Sequence, residues 1–102
     1  MSDYSFTFKG AGKAVHNNSL KTTNPAFGYT LRDRNAGNIL KYGETTNSSH
    51  RYTKKYLQNN NAEMQIEIQG TKREMHQWQH EQILDYKNIN NELRPPLNKS
   101  DY

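Results

Sequence analysis

FGYTLRDRNAGNILKYGET, residues 27–45, decides how this chain folds. Phe27, Tyr29 and Leu31 alternate with Gly28, Thr30 and Arg32, which is the two-residue period of a strand. Ile39 to Gly43 reads as its return partner. Asp33-Arg34-Asn35-Ala36-Gly37-Asn38 supplies the turn residues between them. The stretch is therefore a β-hairpin, begun by Pro25.

Working outward on the C-terminal side, Thr45-Thr46-Asn47-Ser48-Ser49 is a loop that ends in good helix caps, and it predicts a helix over His50–Gln58. On that helix Tyr52 and Tyr56 would face inward, with Arg51 and Lys55 on the adjoining stripe. Asn59-Asn60-Asn61 breaks the chain. Ala62 to Gln69 then alternates strictly, which predicts a strand with one apolar and one polar face. Gly70 ends it. Thr71, with Glu74 three residues on, has the form of a capping box for a longer helix to about Asn88. Met75, Trp78, Ile83 and Tyr86 make its apolar side, and Glu74, Glu81 and Asp85 make it acidic. Pro95-Pro96 stop it, and Leu97-Asn98-Lys99 follows as a short extended tail. The expected fold class is α+β, a small three-stranded antiparallel sheet (a hairpin plus one strand) flanked by helices.

On the N-terminal side, residues 1–24 are rich in Gly, Asn, Ser, Thr and Lys and read as a flexible basic leader. Tyr4 to Phe8 alternates and could pair as an edge strand. The domain proper is residues 25–102. A chain of 102 residues holds one domain with a small core. Hydrophobic content of 31% and a mean hydropathy of −1.21 lie near the disordered range, but the aromatic 11% lets a few large side chains bury much of the area. There is no cysteine, so any metal must take oxygen or imidazole ligands. No run approaches the roughly 18 apolar residues of a membrane span.

The net charge of +4 is unevenly placed. Residues 1–60 hold nine Lys/Arg against three acids, leaving +6, while residues 61–102 hold five against seven, leaving −2. The positive half carries the hairpin, which suits a polyanion such as nucleic acid. Two phenols and a guanidinium on one small sheet are the groups needed to deprotonate a nucleophile and hold a phosphate. Arg32, Lys54 and Lys55 are the candidate contacts to nucleic acid around them.

From Phe27 to Asn98 the order of elements and residues resembles the GIY-YIG nuclease superfamily, also called the URI fold. The first-strand motif aligns with Phe27-Gly28-Tyr29, and the second with Lys41-Tyr42-Gly43-Glu44-Thr45. In the second, lysine stands at the usual tyrosine place and Tyr42 lies one residue later. Either Lys41 replaces the second phenol or a bulge brings Tyr42 to its side. Arg51 falls eight residues after Gly43 and matches the helical arginine. Asn98 matches the closing asparagine. The helical glutamate is Glu81 or Glu74, seven residues apart on similar azimuths, and Glu81 is favoured as nearer to Asn98 and beside Ile83-Leu84.

The resemblance implies metal-dependent hydrolysis of a phosphodiester, in DNA first and RNA second, with low sequence specificity. Tyr29 would help deprotonate a water, Arg51 would neutralise the phosphate, Glu81 would hold a divalent cation, magnesium by its oxygen chemistry, and Asn98 would fix the tail. For Tyr29 to act as a base, Arg51 and the metal would have to favour its phenolate. A compact catalytic unit behind a basic leader, ending shortly after its last site residue, also looks similar to the C-terminal toxin domains of bacterial contact-dependent and Rhs-type toxins. That setting implies a monomer delivered from a larger protein into a target cell and neutralised by an acidic immunity protein. The competing reading is a non-catalytic nucleic-acid-binding module that uses Arg51, Lys54, Lys55 and the tyrosines. His76 and His80, at i and i+4, are a weaker zinc candidate, since the HExxH pattern is missing.

Overall fold

A computed structural model of the chain describes residues 25–102. The leader and its expected edge strand lie outside the described residues. Five elements follow in order: β1 (Ala26–Asp33), β2 (Ile39–Thr45), α1 (Lys54–Asn59), β3 (Ala62–Gly70) and α2 (Lys72–Ile89). The strands form one antiparallel sheet in the order β2-β1-β3, so the first strand of the hairpin is the central one. This is the α+β sheet that the sequence predicts.

Because β1 is central, both of its faces are covered. Ala26 and Gly28 face α2, where Ala26, Ile68, Met75 and Trp78 form one apolar cluster with Tyr42 packed against it. Tyr29 and Leu31 face the other way and join Ala62, with Leu40, Met64, Tyr52, Tyr56, Leu57 and Leu97 around them. Burying an aliphatic or aromatic side chain of this size contributes about 1.5–3 kcal/mol, so the few large residues carry the fold. Gly28 lets Trp78 lie on the strand, since a Cβ there would come within 2.6 Å of the indole.

β3 departs from strict alternation. Gly28 pairs with Ile68 but Tyr29 pairs with Ile66, leaving Glu67 as an extra residue. Past this bulge the apolar residues change sides. Ile66 is left 44% exposed and Ile68 joins the Trp78 cluster. Glu67 itself is buried, accepting a hydrogen bond from Thr30 Oγ1 (2.8 Å) and an ion pair from Arg32 Nη2 (3.3 Å). A second bulge lies in β2, where Leu31 pairs with Lys41 and Arg32 with Ile39, so that Leu40 is the extra residue.

The first helix is shorter than its predicted span of His50–Gln58. Thr53 is the N-cap, its hydroxyl accepting from the Tyr56 N–H at 3.0 Å. Thr53 thus takes the role expected of the serines, and residues 48–52 remain in turns and bends. Arg51 is therefore not helical and forms no i, i+4 stripe with Lys55. The second helix begins as predicted, with Thr71 and Glu74 completing both bonds of the capping box. After it the tail returns to the sheet. The Leu97 N–H donates to Leu40 O at 2.8 Å, and the Asn98 side chain both accepts from Tyr42 N (2.9 Å) and donates to Tyr42 O (3.0 Å). Asn98 thus pairs with the exposed edge of β2 as a neighbouring strand would.

Candidate active site

The bulge at Leu40 fixes which second-strand residue stands beside Tyr29. Tyr29 is paired with Gly43 and Leu31 with Lys41, so Lys41 shares their face of the sheet. Tyr42, paired with Thr30, lies on the opposite face and meets Trp78 edge-on at 5.9 Å. Lys41 is thus the second-strand residue on the Tyr29 side, and Tyr42 packs partly buried against the Trp78 cluster. Gly43 is required by the first phenol: a Cβ there would overlap the Tyr29 ring and hydroxyl.

Tyr29, Lys41, Arg51 and Asn98 line one open cleft of about 480 Å³. It is walled by the tail at Lys99, Ser100 and Tyr102, and by His76 and Gln79 of α2. The Tyr29 hydroxyl is 2.7 Å from that of Tyr52, and the two rings meet edge-on at 5.8 Å. The other side of Tyr52 carries charge, with the Arg51 guanidinium 4.4 Å and Lys41 Nζ 5.6 Å from its ring centre. Tyr56 stacks on the same ring at 4.9 Å. The sequence predicts Tyr52 as an inward-facing helix residue and, in the binding-module reading, as a stacking surface, but not as a partner of Tyr29. Its position beside Arg51 is the signal that could have drawn it into the site.

Tyr29 is 1% exposed. Burial, with the Tyr52 hydroxyl adding to it, pushes its phenol far above the ordinary value near 10, and the Arg51 charge acts in the opposite sense without prevailing. In the free protein Tyr29 is thus a neutral phenol, not the phenolate implied by the resemblance.

The glutamates of α2 do not enter this cleft. Glu81 is exposed, accepts a hydrogen bond from Gln77 Nε2 at 3.0 Å, and lines a separate groove with Glu74, Arg73 and Trp78. Glu74 is engaged in capping its own helix. The physical reason is helical phase. At about 100° per residue, positions 76 and 79 share a side, while 81 lies about 160° and 74 about 140° from 79. The polar α2 residues in the cleft are His76 and the buried Gln79, an amide where a carboxylate was expected. Glu81, expected from the sequence as metal ligand, is therefore not brought together with Tyr29, Lys41, Arg51 and Asn98. Among the described residues no three His, Asp or Glu side chains are grouped to hold a metal ion.

The carboxylate that does line the cleft is Glu44, next to Gly43 on β2. Its Oε2 lies 3.8 Å from the exposed Lys72 Nζ. Its Oε1 is buried and has no hydrogen-bond partner among the described residues.

Arg32, expected to contact nucleic acid, is used internally. It binds Glu67, Thr30 Oγ1 (3.2 Å) and Gly37 O (3.4 Å). Lys54 and Lys55 are exposed on α1. Of the two helical histidines, His80 has its Nδ1 2.7 Å from the Asp101 carbonyl, and the Tyr102 ring stacks on His80 at 4.2 Å and beside His76 at 5.8 Å. Asp101 also binds Lys87 and Arg94, which ties the tail to α2.

Comparison of the chain with protein-family models, with curated proteins and with solved structures finds no match. No helix among the described residues is long and apolar enough to cross a membrane.

Proposed function

We propose that this cleft binds and hydrolyses a phosphodiester of nucleic acid, as the resemblance to GIY-YIG nucleases implies. The observation that carries the reading is the convergence of Tyr29, Lys41, Arg51 and Asn98, from separate parts of the chain, on one solvent-open cavity. Two cations at its wall match the charge of a phosphate, and the Tyr52 ring holds the guanidinium in place. Hydrolysis forms a bond from a water oxygen to phosphorus, breaks the bond to one ester oxygen, and transfers a proton from the water to that leaving oxygen. Arg51 and Lys41 neutralise the negative charge gathering on the phosphoryl oxygens. Tyr29, neutral and anchored to Tyr52, orients the water by hydrogen bonding and does not strip its proton in the resting cleft. Asn98 keeps the tail wall in place.

DNA is the favoured substrate, read with little sequence preference. Exposed Lys54 and Lys55 extend the cationic surface beyond the cleft. Such a surface would also suit an acidic protein inhibitor, as in a bacterial toxin domain paired with its immunity protein.

One observation favours the second reading, a binding module without catalysis: α2 presents Gln79 to the cleft and no carboxylate. Incubation of the purified chain with plasmid, single-stranded DNA and tRNA, with and without magnesium, separates the two. Cleavage that falls about 100-fold or more in Arg51→Ala supports the nuclease. Salt-sensitive binding with no cleavage of any of the three supports the module instead.

A further inference from the structure

We propose that Tyr102 is a stacking platform for an unpaired nucleobase, so that the cleft takes single-stranded nucleic acid in preference to duplex. The proposal rests on the reading above and names the substrate class of the same cleft. An aromatic ring left 63% exposed on the cleft wall is the observation that calls for it. One side of the ring is already stacked. It lies parallel to the His80 imidazole within 3°, the centroids 4.2 Å apart, with His76 beside it at 5.8 Å. His80 does not itself line the cleft, so the ring stands between that imidazole and the open space.

The tail holds the ring where it is. The Asp101 carbonyl is 2.7 Å from His80 Nδ1, its carboxylate takes Lys87 Nζ (3.1 Å) and Arg94 Nε (2.7 Å), and Tyr102 N donates to Ser100 Oγ at 3.2 Å. A ring fixed in advance gives up little freedom when a base lies on it, so more of the stacking energy is kept as affinity. The charges around it suit the rest of a nucleotide. Lys41, Arg51 and Lys99 line the same cleft against one carboxylate, Glu44, and Lys72 and Arg73 line the cavity next to it. A positively charged groove with an exposed aromatic ring is the combination by which proteins hold single strands. In a duplex the neighbouring pairs already cover both faces of each base, whereas a single strand, a loop or a frayed end can lay one base on Tyr102. Every base has such a face, so the contact selects strandedness and not sequence.

Binding of a short fluorescent oligodeoxyadenylate to the whole chain, in the presence of a chelator, tests this against the same strand paired with oligothymidylate. The single strand is expected to bind more tightly, and Tyr102→Ala to weaken it about 5- to 150-fold, the range of one stacked base. Duplex binding, driven by phosphate charge, is expected to change less than about twofold. Tyr102→Phe keeps the ring and is expected to bind as the parent does. Tighter binding of the duplex, an equal loss on both polymers, no loss in Tyr102→Ala, or no binding by the parent protein would each overturn the proposal. So would polyglutamate binding as tightly as the single strand, since charge alone would then account for the surface. A measurement on the parent protein alone guards against a variant that does not fold. As oligodeoxyadenylate is added, the ring protons of Tyr102 are expected to shift upfield in the ring current of a stacked adenine; shifts confined to other residues overturn the site. Because binding is read without cleavage, a preference for single strands in a protein that cleaves nothing refutes hydrolysis alone. Cleavage of single strands that Tyr102→Ala leaves unchanged refutes the platform alone.

Discussion

The hydroxyls of Tyr29 and Tyr52 lie 2.7 Å apart, and this one contact joins the sheet to the loop that carries Arg51. Tyr52→Phe removes the bond and keeps the ring under Arg51. Cleavage is expected to fall about tenfold, in the range of one lost hydrogen bond. Tyr52→Ala removes the ring too, so the expected loss is larger, and the comparison of the two rates on one DNA substrate gives the share of each.

Burial raises the Tyr29 phenol above its unfolded value near 10, so the folded state holds its proton where the unfolded chain gives it up. The resulting contribution to stability is complete below about pH 10 and declines as pH rises beyond it. Urea unfolding followed from pH 8 to 11 is expected to show falling stability in the parent protein and a flatter profile in Tyr29→Phe.

Gly43→Ala places a methyl group where the Tyr29 phenol lies. Relief of that overlap requires moving a buried ring, so a loss of about 1–3 kcal/mol is expected, together with lost activity. Thermal unfolding and the cleavage rate should both respond. A stable but inactive variant would mean that the ring has simply swung out of the cleft.

Arg32→Ala is expected to behave as a stability variant. It leaves the Glu67 carboxylate, whose side chain is 3% exposed, with the Thr30 hydroxyl but no cation, and removing one partner of such a pair costs about 3–5 kcal/mol where it is fully buried. Arg32 is itself partly exposed, so the expected loss lies below that range. Affinity for DNA, measured at a temperature where the variant is folded, should stay within about twofold, since no phosphate contact of the kind made by a free cation is lost.

Asn98 needs both halves of its amide. Asn98→Asp keeps the acceptor for Tyr42 N and loses the donor to Tyr42 O. Hydrogen exchange at residues 97–102 is expected to quicken, with a stability loss of about 1–2 kcal/mol. Protection unchanged from the parent would show that Asp101, through Lys87 and Arg94, anchors the tail alone.

The hairpin, the third strand and the capped long helix were legible because each is written in local signals: alternation, turn residues, and Thr71 with Glu74. The start of α1 was not, since Ser48, Ser49 and Thr53 are all acceptable caps and only packing of Tyr52 on Tyr29 and Tyr56 selects the last. Neither bulge leaves a mark in the sequence. The bulge at Leu40 decides that Lys41 and not Tyr42 enters the cleft, and no local residue pattern announces it. Gln79 did leave a signal. It falls midway between Met75 and Ile83 at four-residue steps, a polar side chain on the apolar stripe, whereas Glu81 was favoured for its nearness to Asn98 and to Ile83-Leu84.

The extra residue at Glu67 makes β3 serve two opposite cores, Ala62 and Met64 on one side and Ile68 on the other. Deleting Glu67 would leave Tyr29 opposite Ile66 and Gly28 opposite Ile68 in an even ladder, so both cores would keep their side chains, and the loss would be the buried acceptor of Thr30 and Arg32. The bulge thus lets one alternating stretch feed two opposite faces, and the residue it adds is a buried anion shared by a hydroxyl and a guanidinium of the central strand.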